Sequence, residues 1–388
     1  MKIMNYNHSN LKLGIIGGGQ LGKMLLQVSS RYNINSKILD PNKESPCKNL
    51  CNEFFLGDLM DYNAVYEFGK NCDLVTFEIE HVNINALEQL ESEWIDVFPR
   101  PSTLRIIQDK SIQKKFFVDN NIPTAKFRYF KSNSDFLKFA NNNDINFPCI
   151  WKKTKFGYDG YGVKKINSPD EINNLVDSEF IIEDYVPFKK ELATTVARNM
   201  SGKIVIFPVV EMMFNSNSNQ VEYVICPAQV DNEIMKNAKE IALKLTNAFE
   251  NIGLLAVEMF QTEDNRLLVN EVAPRPHNSA HYSIEACVSS QFDQHIRSIL
   301  NLPLGCSKSN SYAIMVNLVG DQKHTGPVSY SGIEKTLEYN NVSLHIYGKT
   351  KTKPNRKMGH ATVLDTNLKN GLEIAKSIKR IITIIHIG

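Results

Sequence analysis

The 388-residue chain has no apolar run that approaches the roughly 20 residues needed to cross a bilayer, so it reads as a protein without a membrane. Its first ten residues, Met1 to Asn10 (MKIMNYNHSN), have no apolar core of the kind a secretory signal carries, which points to the cytoplasm. Charge of one sign is missing too. Forty-four Lys and Arg stand against 42 Asp and Glu, a net charge of +2 with no long basic run, and this leaves no electrostatic footprint for nucleic acid. Small acidic ligands remain open as partners. The seven cysteines, an odd number scattered from Cys47 to Cys306, form no CxxC pair and suit neither a zinc site nor a disulfide framework. They read as reduced, mostly buried thiols, with Cys47 and Cys51 a weak exception.

What is present is an alternation of short apolar strands and helices in a chain long enough for two or three domains. LKLGII (Leu11 to Ile16) reads as a strand, followed by a glycine turn and the start of a helix, GGGQLGKM. That arrangement suits anion binding by backbone N–H groups. Gly17, Gly19 and Gly22 match GxGxxG, and Asp40 closes a second strand where a dinucleotide fold places its ribose acid, so an NAD-linked oxidoreductase is one reading. Gly17 to Lys23 also spells GxxxxGK, but Met24 stands where a P-loop needs a hydroxyl for magnesium. A third strand, DLVTF, ends in Glu78-Ile79-Glu80-His81, at the strand end where ligands of open α/β sheets bind. Pro99-Arg100-Pro101-Ser102 marks a boundary, placing an N-terminal Rossmann-like domain at 1–102.

Beyond it, a helix carries Asp109 and Lys110, and the strand FPCIWKK places Lys152 near its end. The loop TKFGYDGYGV follows, glycine-rich and with no helix after it, and able to close over phosphates. FIIE runs into a proline-bounded turn, DYVPF, that reads as a hinge whose backbone could bond a base. LLAVEMF and LLVNEVA then read as a hairpin. If Asp264 and Asn265 form a two-residue turn, Glu258 faces Glu271. Directly opposed like charges are destabilising, so a cation belongs between them, and magnesium, a hard ion preferring oxygen ligands, fits best. The following Ala-Pro-Arg-Pro-His-Asn-Ser presents Arg275, His277 and Asn278 from a stiff loop. After Leu302 short strands predominate, and Lys353, Arg356, Lys357 and His360 gather in one loop. Four cations this close are usually a solvated turn, and opposite an acidic ligand they would be a phosphate clamp.

GGGQLGKM, FGYDGYG, NEVAPRPHNSAH and NRKMGH, in that order across nearly the whole chain, resemble the N5-carboxyaminoimidazole ribonucleotide synthase family of the ATP-grasp superfamily. The resemblance implies an α/β (α+β) ATP-grasp fold: an N-terminal Rossmann-like domain, an ATP-grasp domain at 103–302 with a lid subdomain at about 124–186, and a small β-rich domain at 303–388. It implies ATP- and bicarbonate-dependent carboxylation of 5-aminoimidazole ribonucleotide through carboxyphosphate, with ATP and Mg2+ as cofactors, in a homodimer. Carried over by position, Lys110 and Lys152 contact ATP phosphates. Gly157, Tyr158, Asp159, Gly160, Tyr161, Gly162 and Val163 form the closing loop. Glu183, Asp184, Tyr185 and Val186 hold the adenine, mainly through backbone groups, and Glu191 the ribose. Glu258 and Glu271, helped by Asn270, bind magnesium, while Arg275, His277 and Asn278 face bicarbonate or carboxyphosphate. The ribonucleotide is expected against Gly19, Gln20, Leu21, Glu78, Tyr158 and Asp159, its phosphate on Arg356 and Lys357, with Lys357 also among the catalytic groups.

Two departures stand out: many relatives carry Arg where this chain has Lys23 and Tyr161. Other readings are a formyl- or amine-ligating relative, a biotin-carboxylase-like enzyme, the oxidoreductase already noted and a nucleotide sensor without catalysis. The NRKMGH loop and short third region argue against the first two. The oxidoreductase leaves the opposed glutamates unexplained.

Overall fold

A computed structural model describes residues 11–142, 145–155, 162–216 and 218–386. The N-terminal region is a five-stranded parallel sheet in the order Glu53–Leu56, Asn35–Asp40, Lys12–Ile16, Leu74–Phe77, Asp96–Val97. Its strand order reverses beside Lys12–Ile16, so the turn after that strand and the end of Leu74–Phe77 flank one crevice, as the sheet chemistry requires. Gly17 adopts φ +97, and an added Cβ would sit 2.7 Å from Glu78. Only glycine allows that approach.

Next comes a four-stranded antiparallel sheet, ordered Phe127–Phe130, Phe180–Asp184, Cys149–Lys153, Val163–Ile166. The last two form the hairpin around the glycine loop. Gly162 and Val163 lie at its described end, and Gly157, Tyr158, Asp159, Gly160 and Tyr161 fall outside the described residues.

The largest sheet runs Leu267–Ala273, Gly253–Thr262, Phe188–Arg198, Val210–Phe214, Val221–Cys226, Tyr312–Val319, Lys357–Asp365, Val342–Ile346. Ladder bonds from Tyr223–Cys226 to Ala313–Val316 carry it past residue 302 without a break. The core crosses both expected boundaries as well. Phe292, Ile296, Ile299 and Tyr347 pack against Leu13, Ile15 and Leu25 of the N-terminal sheet and its first helix. Helix Gln291–Ile299, buried on nearly every side, is the wedge between regions. Among the described residues no helix is long and apolar enough to cross a membrane.

Candidate active site

The hairpin does set Glu258 opposite Glu271, but by a different route from a two-residue turn. Thr262 N donates to Arg266 O, Asn265 N donates to Thr262 O, and Asn265 takes φ +64, so the loop has three residues with a left-handed last one. Its register, Gln261 with Leu267 through Met259 with Val269, is one step off the expected one. A bulge at Asn270 restores it, and two consecutive side chains, Asn270 and Glu271, consequently turn towards the cleft.

Each of these finds a lysine. Lys110 Nζ lies 2.8 Å from Glu271 Oε2, and Lys152 Nζ donates to Asn270 Oδ1 at 2.8 Å. Helix Lys110–Asp119 places Lys110 and Lys114 one turn apart on the same face. Lys114 Nζ reaches Glu183 Oε1 at 3.0 Å, while Lys152 Nζ reaches Glu183 Oε2 at 2.9 Å. The Glu183 carboxylate is thus fully occupied in a buried triad. Burial alone would raise its pKa, but the two ammonium groups hold it down at about 2. Burial, opposed by Glu183, pushes Lys114 down to about 8.

Three acids share the cleft side of adjacent strands, because Ala193 pairs Glu258 and Glu191 lies diagonally two residues away. Burial first, then Glu271 and Glu191, raises Glu258 well above the carboxylate range. Lys110 pulls Glu271 the opposite way, although 44% of its side chain is open to the cleft. Burial and then Glu271 push Glu191 up to about 7. Among the described residues no group of three or more His, Cys, Asp or Glu is arranged to hold a metal alone. The desolvated Glu258 beside Glu271 fits an ion of the magnesium type, which takes one or two carboxylates and leaves its other positions to phosphate and water.

On the other side of Glu258 lies the proline-stiffened loop. His277 Nε2 is 3.5 Å from Glu258 Oε1, and its Nδ1 meets Ser279 Oγ at 2.9 Å. Arg275 Nε lies 2.8 Å from Glu80 Oε1, which ties this loop to the N-terminal sheet. Asn278 and Asn317 exchange amide hydrogen bonds at 2.9 and 2.8 Å. One cleft of about 680 Å³ joins these groups to the N-terminal turn, lined by Gly19, Gln20, Leu21 and Glu78 on one wall and by Lys110, Glu258, Glu271, Arg275, His277, Asn278 and Lys357 on the other. A more open groove of about 940 Å³ lies elsewhere and of the expected site residues touches only Asp184, so size does not mark the site.

The glycine turn proves to be closed to phosphate. Glu78 Oε1 accepts from Gly19 N at 2.8 Å and Asp40 Oδ2 from Gly18 N at 2.7 Å, so the chain's own carboxylates take the donors that a dinucleotide would use. Burial drives Glu78 up to about 7, against the Gly19 bond that lowers it. Lys23, in place of arginine, donates to Ile346 O at 2.8 Å and fastens the C-terminal loop. Of the two phosphate candidates there, Lys357 lines the cleft, whereas Arg356 turns away to Lys351 O at 2.7 Å. Tyr185 is exposed and packs under Lys165 Nζ at 4.5 Å. Sequence reasoning missed Lys114, although its one-turn spacing from Lys110 was a signal. It also missed Lys349, which lines the cleft and donates to Lys357 O at 2.7 Å, and Gln291.

Comparison with known proteins gives the same order of parts. The ribonucleotide synthetase preATP-grasp domain matches residues 11–108, the ATP-grasp domain 115–292, and the phosphoribosylaminoimidazole carboxylase C-terminal domain 313–373. The crystal structure of N5-carboxyaminoimidazole ribonucleotide synthetase from Thermotoga maritima is 40% identical with a TM-score of 0.88, over 97% of this chain and 100% of that one. The chain belongs to the N5-carboxyaminoimidazole ribonucleotide synthase family. A family structure from Aspergillus clavatus, in complex with ADP and 5-aminoimidazole ribonucleotide, is 33% identical with a TM-score of 0.86, covering 97% of this chain and 99% of that one. Phosphoribosylaminoimidazole carboxylase from Candida glabrata is 35% identical over 371 residues, 92% of this chain, and longer: the chain spans 64% of its length.

Proposed function

We propose that this chain carboxylates the exocyclic amine of 5-aminoimidazole ribonucleotide with bicarbonate and ATP, giving N5-carboxyaminoimidazole ribonucleotide, ADP and phosphate, a step of purine biosynthesis. The observation that carries the reading is the single cleft in which the Glu258 and Glu271 pair, Lys110, Arg275 and His277 face Gln20 and Glu78. Bicarbonate is a poor electrophile. Attack of its oxygen on the γ-phosphorus of ATP releases ADP and gives carboxyphosphate; attack of the amine on the carboxyl carbon then releases phosphate, and one amine proton leaves. Lys110 and Lys152 hold phosphate charge, Arg275 and His277 stabilise the anion as it develops, and Glu191 takes the ribose. Glu258 and Glu271 would hold magnesium, which supplies charge neutralisation at the phosphates.

Two further expectations are a homodimer, which rests on the family resemblance alone, and a cytoplasmic location, which rests on the sequence reading; they are checked by light scattering and by fractionation. Phosphate release from ATP that requires both the ribonucleotide and bicarbonate is the expected result. ATP turnover indifferent to the ribonucleotide would sink the reading. Glu271→Gln should lower kcat by at least about 100-fold with the fold intact, because the metal loses a charged ligand. Near-normal activity would refute the metal assignment.

A further inference from the structure

Gln291 is fully buried at the start of helix Gln291–Ile299, with its backbone N–H fixed on Ser283 Oγ at 2.9 Å. Its side-chain Oε1 accepts from the backbone N–H of His277 at 2.8 Å, and its Nε2 donates to the backbone carbonyl of the same residue at 2.8 Å. These two bonds settle which end of the carboxamide is which, since a backbone N–H needs an oxygen and a carbonyl needs the NH2. The second proton on Nε2 points to Nδ1 of His281 at 2.9 Å, so that ring nitrogen accepts. A neutral imidazole accepting at Nδ1 carries its proton on Nε2. The His281 ring is buried, lines the cleft and packs 4.8 Å from the ring of His360. Burial, and then the neighbouring cations, keeps it neutral.

We propose that Gln291 is a positioning residue of the reaction: its carboxamide clamps both backbone polar groups of His277 and fixes His281 in the Nε2-protonated form. The proposal rests on the carboxylation reading for its kinetic part. Besides this clamp, Ala280 N donates to His277 O at 3.1 Å and Ser279 Oγ meets its Nδ1 at 2.9 Å; loss of Gln291 removes the hold from the helix side and loosens the seat of a ring 3.5 Å from Glu258. Nothing in the H-N-S-x-H spacing signals this, because Gln291 lies fourteen residues beyond His277 and meets it only in the folded chain.

Gln291→Glu is the sharpest probe because it keeps size and the acceptor for His277 N–H. A carboxylate cannot donate, so it repels His277 O and draws the His281 proton to Nδ1. In protein labelled with 15N-histidine, long-range proton–nitrogen spectra should show His281 protonated at Nε2 in the wild type and at Nδ1 in Gln291→Glu, its signals identified by their loss in His281→Gln. The same variant should lower kcat by about 100-fold while KM for ATP stays put, as displacement of a reacting group by about 1 Å does. A wild-type ring protonated at Nδ1, or a Gln291→Glu kcat within twofold of wild type, overturns the proposal. Wild-type protein lacking ribonucleotide-dependent turnover would remove the carboxylation reading, yet the nitrogen spectra would still decide the clamp.

Discussion

Glu78 shows how far a single residue's chemistry can depart from its place in a motif. The strand end that carries it was legible as an acidic edge, but the carboxylate bonds the glycine turn itself and is too buried to ionise easily. Its folded pKa of about 7 lies above the ordinary value of 4.5. The folded protein therefore keeps a proton that the unfolded chain has lost, so this group's stabilising contribution is full below pH 4.5 and disappears as pH rises through 7. Glu78→Gln keeps the Gly19 bond and removes the titration. Ligand-free Glu78→Gln should match wild type in thermal stability at pH 4 and exceed it at pH 8, by on the order of 3 kcal/mol at most. Equal pH dependence of the two melting curves would refute this. The opposed pair Glu258 and Glu271 was legible from strand spacing; the one-turn spacing of Lys114 from Lys110 was a signal, but its burial against Glu183 was not legible, because that depends on a helix and a strand meeting across 69 residues of chain.

Two elements decide the site. The hairpin reached the expected pairing through a three-residue loop plus a bulge, and only the bulge offers Asn270 to Lys152. Spacing alone cannot distinguish the two routes, since each sets the same carboxylates face to face. Helix Gln291–Ile299 is the second. It carries polar residues on almost every side, which in isolation suggests an exposed helix, but all except Arg297 are buried and most dock a neighbour. Asp293, only 1% exposed, takes Tyr32 OH at 2.6 Å and Arg297 Nε at 2.8 Å, and His295 Nε2 meets Thr76 Oγ1 at 2.8 Å. The helix so fastens the N-terminal sheet at one end and the His277 loop at the other. Arg297→Met would leave Asp293 buried with Tyr32 as its near partner. We expect a loss of about 2–3 kcal/mol in urea unfolding, the lower side of the cost of breaking a buried pair because Arg297 is 28% exposed. A loss below about 0.5 kcal/mol, the size of a surface pair, would contradict the latch.

At the scale of the molecule, the strands beyond residue 302 complete a sheet begun near residue 188, and Ile314, Val316 and Ala361 share a core with Tyr223. Residues 1–302 alone would expose the edge of Val221–Cys226 along with that apolar face. A bare edge strand recruits other chains. The truncated chain should accordingly aggregate on gel filtration rather than run as a monomer or discrete oligomer; a well-behaved, cooperatively melting 1–302 fragment would show the regions to be independent. NAD should also fail to bind in a titration, because the donors of the glycine turn are taken by Asp40 and Glu78. The local alternation of strands, glycine turns and stiff proline loops determined the α/β character, since that follows from backbone geometry and side-chain period; the ATP-grasp order of parts was carried by the resemblance of the four motifs, and strand spacing pointed to the opposed carboxylates while the turn and the bulge that set them were left to the folded chain. Tertiary structure alone decided that the glycine turn is closed, that Arg356 turns away while Lys357 enters the cleft, and that Gln291 holds His277. Those contacts join residues far apart in the chain, and their energies depend on burial and on partners that no local pattern specifies.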